Sequence, residues 1–251
     1  GYCLCSPSTV NIAIAVSFRD IVHIEYTQLT RPCQDPPRNN CQIVTPRAII
    51  KPVYIGRKIL MQKILLFLYD QMADFEISLA AYGLNTEKAG EIVPIGYGDT
   101  VMSMAGLTYQ IDTTVRDALD MEDVAGLIIP GGCRCDLRDE LQELIQRLDR
   151  EKKLLAAICA GPQYLARAGV LQDRSYTTSL RTWTKEDEEK YGGADPFPRE
   201  TFRAQRVVRD GHIITAYGNA FTDFAVEIFE YFGLFTDDAE REAFIKDIKG
   251  I

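Results

Sequence analysis

From residue 61 onward, short apolar runs alternate with segments whose apolar residues recur at helical spacing. The run at 63–69 is typical of a buried strand, and 73–84 places apolar side chains on one face of a helix. This alternation predicts an α/β fold, with a mostly parallel sheet and helices on both faces. The same criteria predict strands at 91–95, 124–130 and 154–158, a hairpin at 207–215, and helices at 136–149, 160–168, 221–232 and 237–249.

Residues 1–60 differ in composition from the rest of the chain. They hold six of the 11 prolines and four of the seven cysteines but no methionine, and seven basic against three acidic side chains. Such a break in composition marks a boundary. We expect an atypical N-terminal extension over 1–60 and a main domain over 61–251.

Three interpretations of this extension stay open. A processed signal peptide fits poorly, because no basic segment precedes a clean apolar run. A small separate domain is a second interpretation, since 10–16 and 21–26 have strand character. The third is sequence that is not native or is poorly ordered, and the proline-rich stretch 32–40 favours it.

The overall charge excludes several classes of function. The 251 residues include 28 basic and 36 acidic side chains, a formal net charge of −8. An acidic chain of this kind does not fit a general binder of nucleic acid or of anionic membranes. The longest apolar runs, at 64–68 and 126–130, are far shorter than the roughly 20 residues of a membrane helix. We therefore expect neither nucleic acid nor membrane as a partner.

Cysteine usage indicates a reducing compartment. The count is odd, and only Cys133, Cys135 and Cys159 follow residue 60, which does not fit a disulfide framework. The cysteines of the first 60 residues match no strong zinc template. We therefore expect a cytoplasmic protein without a metal.

The segment 154–162 carries the most specific chemical signal. A buried strand runs directly into Cys159, and the small residues Ala157 and Gly161 lie two positions before and after it. This spacing is typical of a nucleophile elbow, a strained turn that tolerates only small neighbours. The sulfur would lie at a helix N-terminus, which favours the thiolate, and the Ala160 N–H would face a developing oxyanion. A small buried hydrophobic residue is the alternative that the pattern leaves open.

Three motifs in this order resemble the DJ-1/PfpI (ThiJ/PfpI) family of the class I glutamine amidotransferase-like superfamily. They are Asp-Gln-Met-Ala-Asp-Phe-Glu at 70–76, Gly-Leu-Ile-Ile-Pro-Gly-Gly at 126–132 and Ala-Ile-Cys-Ala-Gly-Pro at 157–162. The resemblance covers about 61–235 and includes nothing in 1–60. It implies a flavodoxin-like three-layer sandwich with a nucleophile elbow, no cofactor, and a homodimer.

The resemblance also assigns roles at the site. Glu76 matches an acidic residue that hydrogen-bonds the elbow cysteine, and it is favoured over Asp74. Such a bond implies a protonated carboxyl that shares its proton with sulfur, so the two groups titrate together. Gly132 matches the glycine whose N–H is the second oxyanion donor beside that of Ala160. Cys133 and its neighbour Cys135 are either resolving thiols for an oxidised Cys159 or bystanders.

One departure from the family bears on the mechanism. Ser179 stands where many relatives have a histidine, so we expect Ser179 to be an auxiliary residue. His212 is the only histidine after residue 60 and is predicted to be exposed on a hairpin. Glutamine amidotransferases need a downstream His-x-Glu, and none is present. This absence argues against ammonia transfer from glutamine and against a general peptidase.

Two hypotheses about function remain open at this stage. In the first, Cys159 attacks a small carbonyl or amide-like substrate, as a hydrolase or a glyoxalase-like lyase, and Glu76 moves the proton. In the second, Cys159 is a redox sensor in a stress response, which oxidises to a sulfinate held by Glu76. Both use the same reactive thiol, so the sequence alone does not separate them.

Overall fold

The computed structural model describes residues 9–16, 20–27 and 62–250. The chain divides into two compact units, 1–56 and 57–251, and each is described by itself. In the first unit, strands β1 (Thr9–Val16) and β2 (Asp20–Thr27) form an antiparallel pair with Thr9 opposite Thr27. These strands coincide with the apolar runs at 10–16 and 21–26. The cysteines and the proline-rich stretch of 1–60 lie outside the described residues.

A mostly parallel sheet of seven strands forms the second unit. Its order is β10-β11-β9-β8-β3-β4-β7, and the only antiparallel pair within it is β10 with β11. A separate antiparallel hairpin consists of β5 and β6. The strands are β3 (Lys63–Phe67), β4 (Glu91–Gly96), β5 (Thr100–Met102), β6 (Thr108–Gln110), β7 (Thr113–Thr114), β8 (Val124–Ile129), β9 (Leu154–Ile158), β10 (Val207–Asp210) and β11 (Ile213–Ala216).

Helices cover both faces of this sheet. The α-helices are α1 (Phe75–Thr86), α2 (Val115–Ala118), α3 (Asp139–Arg150), α4 (Pro162–Arg167), α5 (Lys185–Tyr191), α6 (Phe221–Tyr231) and α7 (Asp238–Lys249). On one face α1 packs against α6, and on the other α3 packs against α2 and α4. This is the flavodoxin-like three-layer arrangement that the alternating pattern and the family motifs predicted.

Burial explains why these segments form these elements. All residues of β8 and β9 are buried, as expected for central strands of a parallel sheet with helices on both faces. Helix α3 buries Leu141, Leu144, Ile145 and Leu148 from one face, and its other positions are largely charged or amide side chains. The predicted bounds differ from the observed ones by a few residues. The β5–β6 hairpin was not predicted, because its strands are short and mostly exposed.

The topology brings several loops to one edge of the sheet. From β3 the chain crosses to β4 on one side, whereas from β8 it crosses to β9 on the other. Ligands of such sheets bind at the carboxyl ends of the strands, beside the point where the direction reverses. The loops that leave β3, β8, β9 and β11 all begin at this edge, which we call the carboxyl edge. Cys159 follows β9 directly at this edge.

The prediction for His212 was wrong. Its side chain is only 6% exposed, and its Nε2 lies 2.8 Å from Oδ1 of Asp149, in the last turn of α3. An Asp-Gly turn does place the residue beside a hairpin, but α3 covers it and supplies a partner. The pKa of His212 is lowered because burial disfavours the charged ring more strongly than Asp149 favours it. Within the described residues, no helix combines the length and apolarity needed to cross a bilayer.

Candidate active site

Cys159 has the strained backbone of a nucleophile elbow. Its φ is +62°, in the left-handed region that non-glycine residues seldom occupy. Two backbone hydrogen bonds hold it there: its N–H donates to the Ala216 carbonyl (2.8 Å), and its carbonyl accepts from the Ser179 N–H (2.9 Å). The Thr178 hydroxyl donates to the same carbonyl (2.7 Å). The surrounding strands therefore enforce a conformation that Cys159 would not choose alone.

The requirement for a small residue after the nucleophile has a direct cause. A Cβ at Gly161 would lie 2.7 Å from the Ile129 carbonyl oxygen and 2.8 Å from that of Pro130. These distances are too short for any side chain, so the end of β8 closes against the turn. The small residue predicted at this position therefore allows β8 and β9 to bring their loops together.

Glu76 lies in the first turn of α1 and faces the elbow. Its side chain is only 2% exposed, and its Oε2 accepts the Gly131 N–H at 2.7 Å. The carboxyl group also lies beside the Cys159 thiol. Asp74 is already engaged elsewhere, because its Oδ2 accepts from the hydroxyls of Ser103 and Tyr109, both at 2.9 Å. The structure therefore brings Glu76, and not Asp74, to the sulfur.

The surroundings raise the pKa of both members of this pair. Burial raises the pKa of Glu76, although the Gly131 N–H and the thiol oppose this change. Burial, followed by the nearby Glu76 charge, raises the pKa of Cys159 to about 11, against the opposing effects of the Ser179 hydroxyl and the Ala160 N–H. These surroundings oppose the thiolate expected from the helix N-terminus, because the N–H that favours it belongs to Ala160, before α4 begins, whereas the pocket removes water and adds a carboxylate.

Two glycines enclose the Cys159–Glu76 pair, and the sequence analysis assigned neither of them to it. A Cβ at Gly131 would lie 2.7 Å from Glu76 Oε2 and 3.0 Å from the Cys159 sulfur. A Cβ at Gly218 would lie 2.8 Å from that sulfur and 2.8 Å from Glu76 Oε1. Any larger residue at either position would push the pair apart. The Gly-Gly dipeptide after β8 is part of a sequence motif. The contact of Gly218 with the pair, in contrast, depends on where β11 brings the chain in three dimensions.

The two predicted oxyanion donors differ in their surroundings. The Ala160 N–H acts on the Cys159 sulfur and favours its thiolate. The Gly132 carbonyl accepts from the Tyr191 hydroxyl (3.3 Å), and among the described residues nothing accepts its N–H. A Cβ at Gly132 would meet the Gln71 carbonyl oxygen at 2.5 Å, so this glycine also serves a close backbone approach. The role of both N–H groups as oxyanion donors stays a prediction.

The two predicted auxiliary residues lie at different positions. Ser179 lines the same pocket as Cys159 and opposes the rise in its pKa, and the Ser179 Oγ accepts the Gly218 N–H (3.0 Å). Cys133 is a free thiol on the loop after β8, near Tyr191, and it does not line the pocket described next. Cys135 is also free, and burial raises its pKa to about 12.

A pocket of about 410 Å³ opens onto the pair. Arg181, Tyr217 and Asn219 also line this pocket. The sequence analysis did not single out Arg181 or Tyr217. The Arg181 guanidinium lies over the Tyr217 ring, 4.5 Å from its centroid. Among the described residues, no group of three or more His, Cys, Asp or Glu side chains is arranged to hold a metal ion. The full lining is Glu76, Cys159, Ser179, Arg181, Tyr217, Gly218 and Asn219.

Sequence comparisons find similar proteins in bacteria and archaea. The DJ-1/PfpI family model matches residues 62–231. A Bacillus subtilis protein described as an uncharacterized protease is 25% identical over 175 residues, which are 68% of this chain and 85% of that protein. A deglycase of Thermococcus kodakarensis is 26% identical over 157 residues, or 61% of this chain and 89% of the deglycase.

Solved structures share the same architecture. A DJ-1 superfamily protein of Agrobacterium tumefaciens is 33% identical, with a TM-score of 0.60 over 76% of this chain and 100% of that one. Oxidized DJ-1 of Toxoplasma gondii is 20% identical and shares the fold, with a TM-score of 0.59 over 74% of this chain and 97% of its own. The family model spans well over half of the chain, and the elbow, the glycine loop and the acidic residue lie together as the resemblance implied. The chain therefore belongs to the DJ-1/PfpI family.

Proposed function

We propose that this protein is a cysteine-dependent enzyme that converts small 2-oxoaldehydes to 2-hydroxy acids. One observation carries the proposal: Cys159 at a strained elbow lies beside a buried carboxyl group, and both line the same pocket. A buried acid beside a nucleophile is an arrangement that active sites use to tune proton transfer. Three curated relatives are described as deglycases, a name that points to carbonyl-derived substrates.

The first step joins sulfur to the aldehyde carbon. As the S–C bond forms, Glu76 takes the thiol proton as a general base, which suits a thiol whose pKa is raised. The aldehyde oxygen becomes an oxyanion that accepts from the N–H groups of Ala160 and Gly132. Glu76 then returns the proton to this oxygen. The product of this step is a neutral hemithioacetal.

The second step is an internal oxidation and reduction. Glu76 removes the hydrogen from the former aldehyde carbon as a proton and delivers it to the oxygen of the neighbouring carbonyl, while the electron pair forms the C=C bond of an enediol. Glu76 then takes the hydroxyl proton of the first carbon and delivers it to the neighbouring carbon. The neighbouring carbon is thereby reduced, the first is oxidised, and a 2-hydroxy thioester results. Water then attacks the thioester, the S–C bond breaks, and the sulfur regains a proton. The net change is addition of one water, and no histidine takes part.

Turnover of methylglyoxal to lactate tests the proposal. We expect conversion by the unaltered protein and a loss of at least about 1,000-fold in Cys159→Ser, since removal of a covalent nucleophile commonly costs this much. Cys133→Ser is the matched control and is expected to retain activity, because Cys133 lies outside the pocket lining. Circular dichroism of each variant checks that the fold is intact. Equal turnover by Cys159→Ser and the unaltered protein would overturn the proposal.

The redox-sensor hypothesis is an alternative outcome of the same experiment. A sensor consumes peroxide stoichiometrically at Cys159 and turns over no carbonyl or amide substrate. Absence of turnover together with one equivalent of sulfinate, measured by mass spectrometry, would favour the sensor.

The remaining expectations from the family are also proposals. We propose a cytoplasmic protein that needs no cofactor and forms a homodimer. Light scattering after gel filtration measures the mass in solution, and a mass of one chain contradicts the dimer. Activity that survives exhaustive treatment with a chelator, on protein purified without added cofactor, supports cofactor independence.

A further inference from the structure

Arg181 is a cation in the pocket for which the proposed chemistry has no use. It lies two residues after Ser179, and both residues line the same pocket as Cys159. Within the part of the chain that the structure describes, Arg181 forms no ion pair. Three arginines that follow it pair with a carboxylate: Arg199 with Asp195, Arg206 with Asp223, and Arg209 with Glu227. Its charge is therefore free to act on a ligand.

Arg181 is exposed, and contact with the Tyr217 ring orients its guanidinium. Tyr217 is 8% exposed, so its ring is a rigid face, and the guanidinium lies 4.5 Å from the ring centroid. Stacking of this kind orients a guanidinium while its N–H groups stay available at the edge. Tyr217 directly precedes Gly218, which touches the Cys159–Glu76 pair. The residue under the Arg181 guanidinium is thus adjacent in sequence to the glycine that packs against Cys159 and Glu76.

The backbone of the segment that carries Arg181 is also anchored. Nη1 of Arg199 donates to the carbonyl oxygens of Leu180 (2.8 Å) and Arg181 (3.1 Å). Arg199 is itself held by Asp195, at 2.7 Å and 2.9 Å. At the other end of the segment, the Ser179 N–H is bonded to the Cys159 carbonyl. Arg181 is therefore held at a set position relative to the sulfur.

The charges of the pocket favour an anionic ligand. Glu76 and Arg181 are the only residues of its lining that carry a full formal charge, and the Glu76 carboxyl is occupied by Gly131 and Cys159. An unpaired guanidinium in a partly enclosed site attracts negative charge, and its planar fork matches the two oxygens of a carboxylate. A carbon chain of a few atoms, with an aldehyde at one end, fits a pocket of about 410 Å³.

We propose that Arg181 is a specificity-determining residue that binds a carboxylate on the substrate, so that the preferred substrates are 2-oxoaldehydes with a carboxylate a few bonds from the aldehyde. This inference rests on the proposed function. It identifies the substrate class as acidic, whereas methylglyoxal is only a minimal substrate. The reaction itself is unchanged: one water is added, the aldehyde carbon is oxidised, and the neighbouring carbonyl carbon is reduced.

The test compares 4,5-dioxopentanoate with its methyl ester, which has the same reacting atoms but no charge. In the unaltered protein we expect kcat/KM to be about 10- to 100-fold higher for the acid, the range of a hydrogen-bonded charge pair. In Arg181→Met this ratio is expected to fall towards one, mainly through KM of the acid. Arg181→Lys keeps the charge but loses the fork, and it is expected to restore part of the preference. Arg203→Met, an exposed arginine outside the pocket lining, is the matched control and keeps the full ratio.

Each outcome separates this inference from the proposal on which it rests. Turnover of both compounds at similar rates, or an acid preference that survives in Arg181→Met, would overturn the role of Arg181 but leave the enzyme proposal standing. Turnover of neither compound and no turnover of methylglyoxal would overturn the proposed function itself. A loss of turnover for the ester as large as for the acid in Arg181→Met would show a structural effect and count against carboxylate recognition.

Discussion

Glu76 and His212 are two buried ionisable groups at opposite ends of the same sheet. Glu76 is 2% exposed and His212 is 6% exposed, and burial favours the uncharged form of each. Glu76 lies at the carboxyl edge, beside a strained cysteine and a pocket. His212 lies where β11 begins, against Asp149, which Arg174 also contacts at 3.4 Å.

Glu76 and His212 are similarly buried, and they differ in the side chains that surround them. His212 is part of a set of compensating charges, in which Arg174 also approaches Asp210 at 4.0 Å. Such a network holds the end of α3 against the start of β11, and it has no reactive atom to act upon. Glu76 instead lies beside a nucleophile, and its charge helps to raise the pKa of that thiol. A shifted pKa therefore indicates a reactive site only where the neighbouring side chain can itself react, as Cys159 can and Asp149 cannot.

The largest effect is expected for Glu76→Gln. This change removes the base that takes the thiol proton, so kcat for a 2-oxoaldehyde is expected to fall by about 100- to 10,000-fold. Glu87→Gln, at an exposed position directly after α1, is the matched control and is expected to leave kcat unchanged. Steady-state kinetics on both variants measures the difference. If kcat of Glu76→Gln matches that of the control, Glu76 takes no part in catalysis and, like His212, serves only the fold.

Gly218→Ala tests how tightly the reactive pair is enclosed. The added Cβ would lie 2.8 Å from the Cys159 sulfur and 2.8 Å from Glu76 Oε1, so one of these groups must move. A displacement of this order costs about 10- to 100-fold in kcat/KM. Gly98→Ala has nothing within 4 Å of the new Cβ and is the matched control. Full activity in Gly218→Ala would indicate that the pair tolerates movement, contrary to the geometry.

At the other end of the sheet, His212→Leu is expected to reduce stability without affecting catalysis. It removes the hydrogen bond to Asp149, which lowers the free energy of unfolding by about 1–3 kcal/mol. His212→Gln keeps a donor for Asp149 and is expected to lose less. Urea denaturation gives the stabilities, and kcat per folded molecule is expected to stay constant. A fall in kcat with stability unchanged would remove the distinction between the two groups.

The smallest effects concern pH. The folded pKa of His212 is lowered, so its contribution to stability is present above about pH 6.5, the unfolded value. That contribution is lost as the pH falls below this value, because the unfolded chain then binds the proton more readily. Between pH 7.5 and 5.5 we expect the stability of the unaltered protein to fall more than that of His212→Gln. Identical slopes in urea denaturation at these pH values would show that His212 does not contribute.

The pH dependence of alkylation tests the reactive pair in the same way. Since the Cys159 pKa is raised to about 11, iodoacetamide is expected to react with it half-maximally well above pH 8.5, the ordinary value for a thiol. Glu76→Gln removes a negative charge and is expected to lower this midpoint. Mass spectrometry of each cysteine against pH gives the midpoints. A midpoint below pH 8.5 in the unaltered protein contradicts the raised pKa and restores the thiolate expected from the sequence.

The elements and the elbow were predictable because they depend on local patterns. The alternation of apolar runs and helical spacing gave the order of strands and helices, and small residues around Cys159 indicated the strained turn. Glu76 was found through a family motif, since nothing in its own neighbourhood distinguishes it from an exposed helical glutamate. The β5–β6 hairpin was missed because exposed strands of three residues leave no clear pattern.

The sequence by itself determined the layered α/β architecture, the nucleophile and the family, because each depends on patterns or motifs formed by residues close together along the chain. Only the tertiary structure decided how distant segments meet at the carboxyl edge: Gly218 against the sulfur, Arg181 over Tyr217, and Asp149 beside His212. It also adds groups that raise the pKa of Cys159. Desolvation and the Glu76 charge arise only when α1, β8, β9 and β11 assemble around the thiol, so no local motif can encode them.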